Sequence, residues 1–404
     1  MDEIRRGALE IIPEDELVRK LERSLETGTP LVVKQGFDPT RPDLHIGHAV
    51  SIRKLRTFQE LGHTVVFVVG DYTARVGDPT GRSETRPTLS PADIESNART
   101  YADQVGRILD AKGVLLEYNS RWLAPLTLAD ILQLTAAYTV ARMLERDDFA
   151  KRLAENRPIS MMELMYPLMQ AYDSVALNAD VELGGTDQKF NLLVARTIQE
   201  RYGQDPQVCL IMPLLRGTDG EQKMSKSYDN YIGISEPPEE MYGKTMSIPD
   251  TLLEEWYDLA SGLAGEELEA AKRRLAGSPY EAKRELAALI TGTYHGTGGV
   301  EAGRGHFDRV FREGGEPEDM PEIVLSVTDP GLRYADGAVW GAGLLVAAGL
   351  ATSNSEAVRL IEQGAVSVDG TAVEGRNTTI PLEPGRPVVL RRGKRRFTRV
   401  RLER

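Results

Sequence analysis

The sequence predicts an α/β fold built on a doubly wound parallel sheet, followed by an α-helical domain and a small α+β domain. Three observations support it. Apolar runs alternate with helical periodicity from Leu31 onward, the pattern of successive strand–helix units. The run Val65-Val66-Phe67-Val68-Val69 has no polar alternation, as expected of a central parallel strand covered on both faces. After Tyr231 the pattern becomes helical, and short strands return only in the last third of the chain.

Taken in order, residues 1–30 read as surface helices and Leu31-Val32-Val33 as the first strand. A tight loop leads to a helix from His45 whose apolar face is Ala49, Ile52, Leu55, Phe58 and Leu61. Thr64–Val69 is the next strand, and another helix begins at Pro91. Residues 121–155 interrupt the alternation with one or two helices; Leu128, Leu132, Val140 and Met143 suit either core packing or a dimer interface. Pro167 marks a helix start with Tyr166 as its cap, and Val181-Glu182-Leu183 is a further strand. Residues 1–230 thus form the sheet domain, 231–325 a helical domain, 326–337 a linker in a stretch rich in Gly, Pro and acid, and 338–404 a compact module. The cluster Gly296–Gly299 reads as a plain loop, since no strand precedes it. In the last module Ser353-Asn354-Ser355-Glu356 is a capping-box start, Gly364 a C-cap, Val366–Gly370 a strand and turn, and Val388–Leu390 with Phe397–Leu402 complete a small sheet.

A chain of 404 residues with 41% apolar and 27% charged side chains suits two or three globular domains. The single cysteine, Cys209, excludes an intramolecular disulfide framework and fits a reducing compartment. The first residues lack the apolar core of a signal peptide, and the longest apolar stretch, Ala338–Ala351, is too short and glycine-rich to span a bilayer. A cytoplasmic protein is expected. Net charge is −12, yet Arg386–Arg404 holds nine basic residues against the acid Glu403. That tail is either a polyanion contact or a solvated strand face.

Three constellations carry chemistry. His45 and His48 share a face of a helix's first turn, where unpaired N–H groups and the dipole favour an anion. Gly47 between them, without a Cβ, lets a flat ligand approach the backbone. This suggests a nucleotide attacked at phosphorus; half a metal site and ordinary capping are the plainer readings. Tyr166, Gln170 and Asp173, at i, i+4 and i+7, form either the wall of a small polar pocket or one face of a partly exposed amphipathic helix. Lys223-Met224-Ser225-Lys226-Ser227 places two cations and two hydroxyls on a loop able to close over a polyphosphate.

His45-Ile46-Gly47-His48 and Lys223-Met224-Ser225-Lys226-Ser227 resemble the two signatures of class I aminoacyl-tRNA synthetases. Gly36-Phe37-Asp38-Pro39-Thr40, Gly77-Asp78-Pro79, Gln170-Ala171-Tyr172-Asp173 and Gly184-Gly185-Thr186-Asp187-Gln188 narrow the resemblance to the tyrosyl-tRNA synthetases, over essentially the whole chain. It implies a Rossmann-like catalytic domain that activates L-tyrosine with ATP and Mg2+, without a tightly bound protein metal, then charges tRNA-Tyr, working as a homodimer away from membranes. By this resemblance Asp173 would accept the substrate phenol, and Asp78, Tyr166 and Gln170 would hold its ammonium. Gln188 and Asp187 would face the carboxylate end and the ribose, with Asp38 nearby and Gly36, Gly47 and Gly185 against the nucleotide. Thr40 and His45 would contact the outer phosphates, His48 the nucleotide beside the reacting phosphorus, and Lys223 and Lys226 the departing pyrophosphate, with Arg82 and Arg86 as late-arriving cations.

The chain departs from the family's better-known branch: Lys34 stands where that branch has a tyrosine touching the phenol, Lys189-Phe190 replaces a tryptophan, and Arg82 replaces a lysine. This resembles the family's second bacterial branch. The helical domain would meet the anticodon. Residues 338–404 resemble the S-four RNA-binding module, with Arg391, Arg392, Lys394, Arg395 and Arg396 as its RNA contacts. Two other readings remain: the tryptophan enzyme on the same fold, which should lack the Asp173 acceptor, and a noncatalytic RNA-binding protein, which should have lost a signature histidine or lysine.

Overall fold

A computed structural model describes residues 1–80, 90–110, 113–275, 277–312, 320–393 and 396–403. They divide into two units, Met1–Gly303 and Arg304–Arg404. In the first, α1 (Asp2–Arg5), β1 (Glu10–Ile12) and α2 (Glu14–Thr27) lead to β2 (Val32–Phe37), α3 (Ile46–Glu60), β3 (Thr64–Val69), α4 (Pro91–Val105) and β4 (Val114–Tyr118). Then come α5 (Ser120–Leu123), α6 (Leu128–Ala136), α7 (Val140–Met143), α8 (Asp147–Ala154), α9 (Met161–Leu177), β5 (Val181–Gly185), α10 (Lys189–Arg201) and β6 (Val208–Met212). Helices α11 (Pro238–Met246), α12 (Leu253–Leu259), α13 (Gly265–Leu275) and α14 (Pro279–Phe307) complete the series.

The strands lie in the order β1-β6-β5-β2-β3-β4, with β2 to β6 parallel. From β2 the chain winds one way to β3 and β4, then returns to place β5 on the other side of β2. The crevice between β2 and β5, at their carboxyl ends, is therefore the switch point where such sheets bind ligands. Residues 1–30 are not wholly helical as expected: β1 pairs antiparallel with β6, Ile11 opposite Leu210, and closes that edge. The apolar strands β3 and β6 are almost entirely buried. Against them α3 buries Ile46, Ala49, Ile52, Leu55 and Phe58, each large side chain contributing roughly 1.5–3 kcal/mol, while Leu61 at its end is half exposed. Helices α11 to α14 extend this same core, through Met241, Trp256 and Leu286, rather than building one of their own.

Two local expectations are corrected here. The helix α9 begins six residues before Pro167, because Ser160 and Glu163 form a capping box: Ser160 Oγ accepts from Met162 N, and Glu163 Oε2 from Ser160 N at 2.9 Å. Proline sits inside, and the cap outweighs the one helical hydrogen bond it removes. Gly296 is a non-helical break within α14 rather than part of a free loop.

In the second unit, β7 (Glu322–Ser326), β8 (Ala338–Trp340), α15 (Gly341–Ala347), α16 (Asn354–Glu362), β9 (Val366–Val368), β10 (Thr371–Ala372), β11 (Thr379–Pro381), β12 (Val388–Arg392) and β13 (Arg396–Glu403) follow in order. The five-stranded sheet runs β10-β9-β12-β13-β7. Ser353 Oγ caps α16 through Glu356 N, Gly364 turns at φ +66° just past its end, and Asp369 and Gly370, both at positive φ, make the β9–β10 turn. Just before the expected linker at 326–337, the chain forms a strand, and 327–337 themselves run as turns and irregular chain. The alternation of Ile323 and Leu325 makes β7 a half-buried strand parallel to β13, and Leu332 is buried with Val339 and Leu390.

Candidate active site

Five segments converge on the switch point and enclose a cavity of about 680 Å³. At one end lie Thr40, His45, Gly47, His48, Lys223 and Lys226. Gly36 and Gly185, near the ends of β2 and β5, and Asp38 and Asp187 just beyond them also line it. Asp78, Tyr166, Gln170, Asp173 and Gln188 line the rest. Arg82 and Arg86 fall outside the described residues.

The histidines are fixed by the start of α3. His45 is the N-cap, its N–H donates to His48 Nδ1 at 3.3 Å, and the two rings stack 3.6 Å apart. Burial, with Lys226 and Lys223 nearby, lowers His48 to about 3; burial and then His48 lower His45 well below its ordinary value. Both are neutral donors at physiological pH, not cations. His45 Nδ1 is buried without a partner among the described residues. A Cβ on Gly47 would meet the His45 ring at 3.0 Å and Met224 Cβ at 3.4 Å. The bare backbone expected to admit a flat ligand thus also admits the protein's own loop.

That loop is closed over the helix start. Met224 N donates to Leu215 O, Ser225 N to Asn230 Oδ1, and Asn230 Nδ2 to Asp219 Oδ2 at 2.8 Å. Lys226 Nζ donates to the carbonyl of Asp43, two residues before His45, and Lys223 Nζ pairs with Asp187 Oδ2 at 2.6 Å. Burial lowers Lys226 to about 8, so this ammonium is held in a partly dry setting. Among the described residues no group of three or more His, Cys, Asp or Glu is placed to hold a metal.

At the opposite end, the shared face of α9 turns inward. Tyr166 O–H donates to Asp38 Oδ2 at 3.0 Å, and Thr73 Oγ1 donates to Asp38 Oδ1 at 2.7 Å. Gly70 is required there: a Cβ would stand 2.1 Å from Asp38 Oδ1. Asp78 Oδ2 accepts from Gln188 Nε2 at 2.7 Å, and Gln188 Oε1 from Asn191 Nδ2 at 3.0 Å. Asp173 is buried at the end of the cavity, with Trp122 Nε1 donating at 2.8 Å and Asn119 Nδ2 at 3.3 Å.

Several supporting residues escaped sequence reasoning. Trp122 and Asn119 lie at the base of the 121–155 insertion, which reads only as apolar helices. Arg146, from the same insertion, is buried and donates to Thr80 Oγ1 at 3.0 Å beside Asp78. Its run, Arg146-Asp147-Asp148, looks like a solvated charge cluster; only the Asn191 and Thr80 contacts give it away. Lys34 is fully buried against Glu182 at 2.9 Å and touches no solvent. In the second unit, Arg392 is committed to Glu356 and the Leu350 carbonyl, and Arg391 donates to Gly393 O and stacks over Phe397. Arg396 begins β13, exposed; Lys394 and Arg395 lie outside the described residues.

Residues 26–311 match the family described as tRNA synthetases class I (W and Y), and residues 332–400 match the tyrosine–tRNA ligase SYY-like C-terminal domain. A tyrosine–tRNA ligase of Moorella thermoacetica is 52% identical over 98% of this chain and 94% of its own. One from Geobacter sulfurreducens is 50% identical over 98% and 97%. This chain belongs to the tyrosine–tRNA ligase family. Solved structures within the family share the fold. A C-terminally truncated mitochondrial tyrosyl-tRNA synthetase of Aspergillus nidulans superposes with a TM-score of 0.62 at 24% identity, over 76% of this chain and 92% of its own. The Archaeoglobus fulgidus enzyme, complexed with L-tyrosine, gives 0.60 at 24% identity, over 75% and 97%.

Proposed function

We propose that the cleft joins tyrosine to ATP and then passes it to the terminal ribose of tRNA-Tyr. One arrangement carries the reading: a single cavity has a buried carboxylate, Asp173, at one end and the His45–His48 pair with Lys223 and Lys226 at the other. The nucleophile is the substrate's own carboxylate, ionised at neutral pH, so no general base is needed. Alignment and charge compensation remain to be supplied. Asp173 accepts a hydrogen bond from the phenol; Asp78, Tyr166 and Gln170 take the ammonium, and Gln188 and Asp187 face the carboxylate and ribose. Magnesium travels with ATP. The neutral histidines donate to phosphate oxygens, and Lys223 and Lys226 balance charge moving onto pyrophosphate, assisted by Arg82 and Arg86.

The exposed Leu128, Leu132 and Val140, on the outer side of helices whose Leu134, Met143 and Phe149 pack inward, form the contact of a homodimer. Arg391, Arg392, Lys394, Arg395 and Arg396 place RNA on the β12–β13 hairpin. The enzyme works in the cytoplasm, where its single buried thiol, Cys209, stays reduced. No helix among the described residues is long and apolar enough to cross a membrane.

Amino-acid-dependent exchange of pyrophosphate into ATP tests this reading against its rivals. Tyrosine should support exchange, and tryptophan and phenylalanine should not. Exchange driven by tryptophan would support the tryptophan enzyme; none with any amino acid would favour the noncatalytic binder.

A further inference from the structure

Lys34 of β2 and Glu182 of β5 face each other across adjacent strands beside the cavity, both fully buried, 2.9 Å apart. A buried ion pair is seldom more stabilising than well-packed apolar side chains of the same volume, so its presence asks for another role. Its neighbours supply one. Glu182 accepts from Gln170 Nε2 at 3.1 Å, from Ser174 Oγ at 3.3 Å and from Gln207 Nε2. With its amide nitrogen so held, Gln170 is left with Oε1 buried and unpartnered among the described residues, on a side chain that lines the cavity. Beyond Glu182, Lys34 Nζ makes no hydrogen bond to a described residue.

The charge of Lys34 also acts on Asp173 and on Cys209. Burial pushes the Asp173 carboxyl up to about 7, and the Lys34 charge is the largest effect opposing it, ahead of the Trp122 and Asn119 hydrogen bonds; Glu182 acts in the same sense as burial. Tyr166, on the same helix, also faces Asp173.

We propose that the Lys34–Glu182 pair is a positioning device for tyrosine selection: Lys34 holds Glu182, Glu182 turns the Gln170 carbonyl toward the ligand's ammonium, and the two charges act in opposite senses on the Asp173 acceptor. The inference rests on the reading of Asp173 as phenol acceptor. Neither residue of the pair touches substrate.

The test is pyrophosphate exchange by the full chain, with tyrosine and ATP varied separately from about pH 6 to 9. Lys34→Met raises the tyrosine KM about ten-fold or more, leaves the ATP KM in place, and moves the acid limb of kcat/KM for tyrosine to higher pH. Glu182→Gln also raises the tyrosine KM but moves that limb to lower pH. A merely structural pair would not give opposite displacements. The double variant, which strands no charge, covers the case in which a single variant does not fold; it too should show a raised tyrosine KM with the ATP KM unchanged. A limb that stays put or moves the same way in both single variants, or a wild-type tyrosine KM in the double variant, overturns the proposal. Asp173→Asn separates the two levels. If it loses discrimination against phenylalanine while the pair variants change nothing, this inference alone falls. If it keeps discrimination, the phenol reading falls and takes this inference with it.

Discussion

Lys223 Nζ lies 2.6 Å from Asp187 Oδ2, so the loop after β6 is latched to the loop after β5 across the cleft. Lys226, on the Asp43 carbonyl, stands at the start of α3. The latch must yield when phosphate competes for Lys223. On the proposed reading, Lys226 serves the developing charge rather than tyrosine itself. Lys226→Ala should therefore slow adenylate formation by ~10²–10³, a loss of the size seen when one donor to a developing charge is removed, with tyrosine affinity unchanged. Stopped-flow fluorescence separates the two quantities; an equal loss in both would contradict the assignment.

Asp173 is expected to set amino-acid selectivity. Its buried oxygens hold donors from Trp122 and Asn119, and a phenylalanine ring would leave them without the phenol. Leaving a buried group unsatisfied costs about 1–3 kcal/mol. Asp173→Ala should bring the ratio of tyrosine to phenylalanine kcat/KM down by at least ~10-fold, read in exchange assays with each amino acid.

The buried histidines make stability depend on pH. His48 falls to about 3 in the folded protein from an ordinary 6.5. Between those values the unfolded chain binds more protons, so the His48 contribution is present above about 6.5 and is lost as pH drops toward 3. Asp173, raised from 3.8 to about 7, acts with the opposite sign between those values, so the bare pH profile mixes the two. The comparison with His48→Asn isolates the histidine. In urea titrations the stability difference, wild type minus variant, should shrink as pH falls below about 6.5.

Arg152 and Glu163 tie α8 to α9 through a buried pair at 2.6 Å, and the same glutamate closes the Ser160 capping box. Glu163→Gln removes the carboxylate paired with the buried Arg152 guanidinium, leaving it the Pro158 carbonyl and the more distant Asp148. The loss should approach ~3–5 kcal/mol in chemical denaturation, since breaking a buried pair on one side exposes the full desolvation penalty. A loss below ~1 kcal/mol, typical of surface pairs, would show that the pair is solvated in solution.

Because β7 belongs to the second unit's sheet, a truncation meant to remove that unit must start before Glu322 rather than at Ala338. Deleting residues 320–404 should spare adenylate formation and cripple tRNA charging. Equal losses in both assays would contradict an RNA role for the segment.

Much of this was legible in the sequence because it is local. Val65–Val69 reads as a covered strand, the His45–His48 spacing as a helix start, and Tyr166, Gln170 and Asp173 as one face, since each pattern lies within a few turns of chain. What was missed is long-range. Lys34 stands out in the sequence only as the replacement of a tyrosine; Glu182 arrives beside it on a neighbouring strand. Trp122 looks like apolar filling until its N–H meets Asp173. Pro167 misled because a capping box seven residues upstream settled the boundary, and β7 went unread because the apolar residues that β13 captures, Ile323 to Leu325, are few and flanked by acid and proline.

The central claim is that one cleft holds tyrosine at Asp173 and the reacting phosphate at the histidine pair. A crystal structure with a nonhydrolysable tyrosyl-adenylate analogue tests it directly. The phenol oxygen should lie within ~3 Å of an Asp173 oxygen, with the phosphate surrogate beside His48. A ligand whose phenol points away from Asp173, or whose phosphate surrogate sits beyond reach of His48, would contradict the account.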